Sequence, residues 1–119
     1  MNGAIDDKTP LQRGTWLRIV HYCNFHDIPR RMLLIDHDFL LWLFDCPFES
    51  DTDDFADRFD IYRTGHDTGV AKSMLESTCI PATPVERIPV AHVEFDETCR
   101  YQVFVHTEST AHTRFDRTP

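Results

Sequence analysis

Residues 32–44 read MLLIDHDFLLWLF: two apolar runs, Met32 to Ile35 and Phe39 to Phe44, separated only by Asp36, His37 and Asp38. Short polar residues between two such runs indicate a hairpin, and Asp and His tolerate a positive φ at the turn better than most side chains. The second run, FLLWLF, has no polar face to leave in water, so it predicts an inner strand covered on both sides. Trp42 and Phe44 are therefore expected in the core.

Working outward, Thr15 to Phe25 alternates. Leu17, Ile19, His21, Cys23 and Phe25 fall on one face and Trp16, Arg18, Val20, Tyr22 and Asn24 on the other, a strand pattern rich in aromatic and β-branched residues. Arg58 to Arg63 (RFDIYR) alternates again. Thr68 is expected to cap a helix over Gly69 to Thr78, with Val70, Ala71, Met74, Leu75 and Thr78 on one face and Pro81 and Pro84 beyond its end. Val85 to Phe95 and Cys99 to His106 suggest a second hairpin about Asp96, Glu97 and Thr98. Pro89 lacks a ladder donor and places the first of these strands at an edge or a bulge.

These elements predict a mainly β fold, with an α+β sandwich as the competing architecture. Five to six mostly antiparallel strands would form a bent sheet or small open barrel with one short helix. Strands that follow one another without crossover helices argue against a parallel α/β fold. A chain of 119 residues has room for one core. The expected organisation is a globular domain over 15–106, a disordered or extended start over 1–14 and a flexible tail over 107–119.

The net charge is −8, with 41% hydrophobic and 27% charged residues, which fits a soluble globular domain and not a disordered tail or a fibre. No apolar run approaches the roughly 18 residues that cross a bilayer, so no membrane partner is expected. The first residues, MNGAIDDKTPLQRG, have acids before any base and no apolar centre, which predicts a cytoplasmic protein. Ten arginines and two lysines are scattered through an acidic chain, a balance that disfavours nucleic acid. The four glycines form no phosphate-binding motif.

Three sets of residues could carry chemistry. His21, Cys23 and His26 (HYCNFH) include two zinc-type ligands on one strand face, yet the second close pair that four-ligand zinc sites use is missing, and a core cysteine and histidine explain them as well. Cys46 follows Asp45 and precedes an acidic stretch that would raise its thiol pKa, which reads as a structural cysteine. The cysteines show no C-x-x-C pair and are expected to be reduced. No cofactor or metal is expected.

The third set is the acidic stretch itself. Asp45 to Asp60 holds seven acids (Asp45, Glu49, Asp51, Asp53, Asp54, Asp57 and Asp60) against Arg58, so −6 of the net −8 is local. It fails as a calcium loop because Ala56 stands where the sharp turn needs Gly and Tyr62 where a bidentate Glu belongs. Glu49, Asp51, Asp53, Asp54 and Asp57 instead read as an exposed loop that would meet a basic protein partner, as inhibitor and immunity-like proteins do. The expected function is a non-enzymatic interaction module, monomeric or weakly dimeric. The alternatives are a small hydrolase or metal-dependent enzyme using His, Cys and carboxylate groups, and a structural subunit of a larger assembly.

The apolar run yields the first test. Trp42→Ala should cost about 3–5 kcal/mol, a large share of the roughly 5–15 kcal/mol available to a domain. An unchanged melting temperature would place this strand at the surface.

Overall fold

The strand built by LWLFD lies inside the sheet because apolar side chains leave it on both faces. The computed structural model describes residues 9–26, 28–77, 80 and 82–107, and the His26 side chain lies outside that description. The elements are β1 (Trp16–His26), β2 (Ile28–Ile35), β3 (Leu41–Asp45), β4 (Phe48–Glu49), β5 (Asp54–Phe55), β6 (Arg58–Gly65), α1 (Thr68–Glu76), β7 (Glu86–Pro89), β8 (Val93–Phe95) and β9 (Gln102–Val105). Seven strands form one antiparallel sheet in the order β7-β6-β3-β2-β1-β9-β8, and β4 pairs with β5 in a separate ribbon. The fold is mainly β with one short helix. It has nine strands rather than five to six, because the acidic stretch contributes β4 and β5 and the run from Val85 to Phe95 is divided.

That division sets the shape. β7 pairs with β6 at one edge of the sheet, β8 pairs with β9 at the other, and only the 3-10 turn Val90–His92 joins them. In a flat sheet with strands about 4.8 Å apart, the two outer strands would lie nearly 30 Å from each other. The chain from Pro89 to Val93 reaches no more than about 14 Å, so the sheet has to curl. The second hairpin expected from sequence is therefore only half realised: β8 and β9 pair around Asp96, whereas β7 leaves for the opposite edge. Pro89 ends β7 on that edge, where its missing N–H costs no ladder bond.

All seven strands send residues to one core on the inner face, including Leu17, Ile19, Met32, Leu34, Trp42, Phe44, Phe59, Ile61, Ile88, Phe95 and Val103. Leu33, Leu41, Leu43 and Tyr62 point to the outer face, where Ala71 and Leu75 of α1 cover them. Arg31 of β2 holds the helix down. It pairs with Asp45 at 3.0 Å and donates to the carbonyls of Leu75 and Ser77 at the helix C-terminus, which no basic residue of the helix serves.

Several local expectations change. Asp67 is the N-cap, accepting from the N–H groups of Gly69 and Val70, and Thr68 opens the helix instead of capping it. Val70 is exposed, and the helix stops at Glu76; Thr78 and Pro81 lie outside the described residues. In β1 the register shifts between Ile19 and His21, so Leu17 and Ile19 enter the inner core while Val20 and Cys23 pack on the helix side. A bulge reverses which face successive residues use, so His21 and Cys23 do not share a face with Leu17 and Ile19. At the start of the chain Leu11 is buried, Arg63 donates to Thr9 O, and Gly14 N donates to Val105 O, so 9–14 is docked. Residues 1–8 and 108–119 of the expected flexible ends lie outside the described residues.

The turn between β2 and β3 is built on Asp36, only 5% exposed. One carboxylate oxygen accepts from the N–H groups of Asp38 and Leu40 at 2.8 and 3.0 Å, and the other accepts from Trp42 Nε1 at 3.0 Å. The positive φ falls on Phe39, at 66°, and not on the Asp or His expected to take it. Asp36→Ala would strand these donors, each at about 1–3 kcal/mol, so unfolding in urea should show a loss of at least about 2 kcal/mol. An unchanged midpoint would mean that the carboxylate does not hold Trp42 and the turn.

Candidate functional site

The acidic stretch is a hairpin and not the open loop its composition suggested. Phe48 and Phe55 face each other across β4 and β5 with ring centroids 5.4 Å apart, and the Arg30 guanidinium lies over the Phe55 ring at 5.2 Å. The base is pinned where Ala56 N donates to Pro47 O at 2.8 Å and Cys46 Sγ donates to Ala56 O at 3.0 Å. Asp53, with φ 55°, makes the tight turn.

The seven acids divide into two groups. Asp45 pairs with Arg31, Glu49 with Arg58, and buried Asp60 with both Arg58 and Arg87 at 3.1 Å. These three are tied into the scaffold. Asp51, Asp53, Asp54 and Asp57 are exposed and form no ion pair among the described residues. Beside them Phe48 remains 56% exposed. Of the five acids singled out from sequence, Asp51, Asp53 and Asp54 therefore stand on the hairpin, Asp57 lies just past its base, where its carbonyl accepts from Val90 N, and Glu49 serves partly as the anchor of Arg58.

The other candidates separate. His21 and Cys23 lie in β1 beyond the bulge, and Cys23 is half-buried next to Arg31. Burial pushes the Cys23 thiol above its ordinary value; the Arg31 charge opposes this, and Asp45 and Glu76 add to it. Cys46 is buried, and burial again raises its pKa, with the Arg30 hydrogen bond and charge opposing. Neighbouring acid is thus a lesser cause there than the sequence implied. Among the described residues no three His, Cys, Asp or Glu side chains gather as a metal-binding group. Cys79 and the His26 side chain lie outside those residues.

Sequence reasoning missed a second feature, a cleft of about 380 Å³ lined by Trp16, Arg18, Ile35, Asp36, His37, Phe39, Tyr101 and Gln102. It brings together the β1–β9 end of the sheet and the β2–β3 turn. Trp16 stands opposite Phe104 with ring centroids 5.4 Å apart. Gln102 is held by its amide to Asp96 at 2.7 Å; that bond and the N–H groups of Cys99 and Thr98 keep the Asp96 carboxyl below its ordinary value. His37 Nε2 meets Thr15 Oγ1 at 3.0 Å.

No family model, characterised protein or solved structure matches this chain. The functional reading therefore rests on its own geometry. The cleft residues come from positions more than 80 residues apart in sequence; the β1–β2 register sets Ile35 beside Arg18, and the β1–β9 register brings Gln102 to the other side. Among the described residues no helix is long and apolar enough to cross a membrane.

The thiols offer a direct check of this placement. In a protein carrying Cys79→Ser, a thiol reagent near neutral pH should modify exposed Cys99 first and Cys23 more slowly, reaching Cys46 only on unfolding. Peptide mass spectrometry reads the order, and equal rates at Cys46 and Cys99 would contradict the buried environment of Cys46.

Proposed function

We propose that this chain is a non-enzymatic interaction module that presents the β4–β5 hairpin to a basic protein surface. The supporting observation is the division of the acids. Three are compensated by arginines of the scaffold, whereas Asp51, Asp53 and Asp54, on a hairpin braced by Phe48, Phe55 and Arg30, and Asp57 at its base stand exposed with no ion pair among the described residues. Like charges held this close repel one another, so the arrangement lowers the stability of the isolated fold. A basic partner relieves that repulsion and gains electrostatic steering. Exposed Phe48 adds an aromatic anchor of the kind enriched at protein interfaces.

The partner class is a protein with a cationic cleft or patch, which an inhibitor of immunity-like design would cover. Association should be fast at low salt and slow steeply as the screening length shrinks from about 10 Å at 0.1 M to about 3 Å at 1 M. Carbodiimide coupling, which joins carboxylates to amines in direct contact, should map partner lysines onto Asp51, Asp53, Asp54 or Asp57. The triple variant Asp51→Asn, Asp53→Asn, Asp54→Asn should keep its fold with equal or slightly higher stability and bind at least about tenfold more slowly at low salt. Wild-type binding rates in the triple variant would leave the hairpin as solvated surface and remove the support for this reading.

A further inference from the structure

We propose that the cleft between the β1–β9 end of the sheet and the β2–β3 turn binds a small planar monoanion of the aromatic carboxylate class. Its volume, about 380 Å³, lies within the range of roughly 300–1,000 Å³ typical of small-molecule sites. The cleft is on the outer face of the sheet, at the end that α1 does not cover. It is independent of the acidic hairpin, which follows β3 at that strand's other end.

Three aromatic side chains meet there while still reaching solvent: Trp16 is 37%, Tyr101 55% and Phe39 73% exposed. Trp16 is braced edge-on by Phe104, and Phe104 in turn by His106 at 4.8 Å, so the indole is a positioned surface. Phe39 occupies a left-handed backbone conformation, where a bulky side chain is strained and Gly or Asn would be easier. Folding alone gives no reason for an exposed phenylalanine at that position. A planar ring stacked on these residues supplies one.

Charge selects the ligand. Among the arginines of the described residues, Arg13, Arg31, Arg58 and Arg87 pair with carboxylates, Arg63 donates to Thr9 O, and Arg30 and Arg100 lie over aromatic rings. Arg18 alone makes no ion pair, hydrogen bond or ring contact, although the chain carries a net charge of −8. Asp36 also lines the cleft, but its two oxygens already accept three N–H groups. Gln102 is committed to Asp96 and His37 to Thr15. Among the polar side chains lining the cleft, the Arg18 guanidinium and the Tyr101 hydroxyl are the two with no polar partner of their own among the described residues.

One guanidinium matches a carboxylate in fork geometry. With a single cation and the Asp36 charge nearby, a doubly charged phosphate is disfavoured. The ligand's ring therefore rests on Trp16, its carboxylate meets Arg18, and its charged end is turned away from Asp36.

The test is a titration of the full chain with 1-naphthoate, followed by the indole N–H resonances of Trp16 and Trp42 and the backbone amides of Arg18 and Tyr101. Saturable shifts of Trp16, Arg18 and Tyr101 are expected, with Trp42 unmoved in the core. Arg18→Gln should keep a dispersed spectrum and weaken binding about tenfold, and the neutral 1-naphthalenemethanol should bind about tenfold more weakly than the carboxylate. Equal affinity for acid and alcohol, or no loss in Arg18→Gln, would overturn the proposal. So would the absence of saturable shifts. If the Trp16 resonance moves with protein concentration alone and sedimentation shows a dimer, a second copy occupies the face and the proposal falls.

Discussion

A strand with large apolar side chains on both faces must be covered twice, and β3 imposes that requirement on the whole chain. Trp42 and Phe44 demand an inner core, while Leu41 and Leu43 demand a cover on the other side. The only second sheet among the described residues is the small β4–β5 ribbon, which adds Phe55 at the margin of the inner core, so the large sheet closes over that core by curling, and all seven of its strands contribute. One nine-residue helix, clamped by Arg31, is enough for the outer side because its cluster is built on β2, β3 and β6 and reaches β1 only at Val20 and Cys23. What it leaves bare is the outer face of β9 and of the first residues of β1, Trp16 and Arg18, where the cleft lies.

The two candidate surfaces are thus consequences of where β3 stops. Before it, the chain turns on Asp36 and exposes Phe39; after it, the chain continues into the acidic hairpin. The charges follow the same logic. Carboxylates close to the sheet find an arginine or a set of N–H donors, as Asp36, Asp45 and Asp60 do, because burying an uncompensated charge is expensive. Those on the projecting hairpin meet water and tolerate the lack of a partner.

Much of the architecture was legible in the sequence where the signal is local. The apolar run announced an inner strand, which holds for Leu41 to Phe44, whereas Phe39 falls in the turn that Asp36 to Asp38 announced and stays exposed. Other features depended on pairing that no local pattern contains. The bulge between Ile19 and His21 cannot be read from alternation, so the two halves of β1 were placed on one face. Pro89 marked an edge, but nothing near it says that β7 and β8 belong to opposite edges. The helix start was misplaced by one residue because Asp67 and Thr68 are both good caps, and the choice rests on which side chain reaches Gly69 and Val70. For the acidic stretch, composition located the charge, but only the structure separates Asp60, held by two arginines, from Asp51 and Asp53, held by none among the described residues. The cleft was invisible because Trp16 and Tyr101 meet only after β9 pairs with β1.

The short link through Val90–His92 also has a temporal meaning. β2, β3 and β6 are consecutive neighbours or nearly so, and their hairpins can form through local search. β9, with β8 paired to its far side, must join β1 across more than 80 residues of chain, a closure whose loop entropy is lost before any contact forms. Since β7 and β8 are tethered by three residues, docking one edge strand drags the other toward its own edge, so the two ends of the sheet are completed together. Completing the sheet is then a single closure at both ends, and any chain that has not made it leaves the edges of β6 and β1 unpaired. Those edges are where association between partly folded copies would begin.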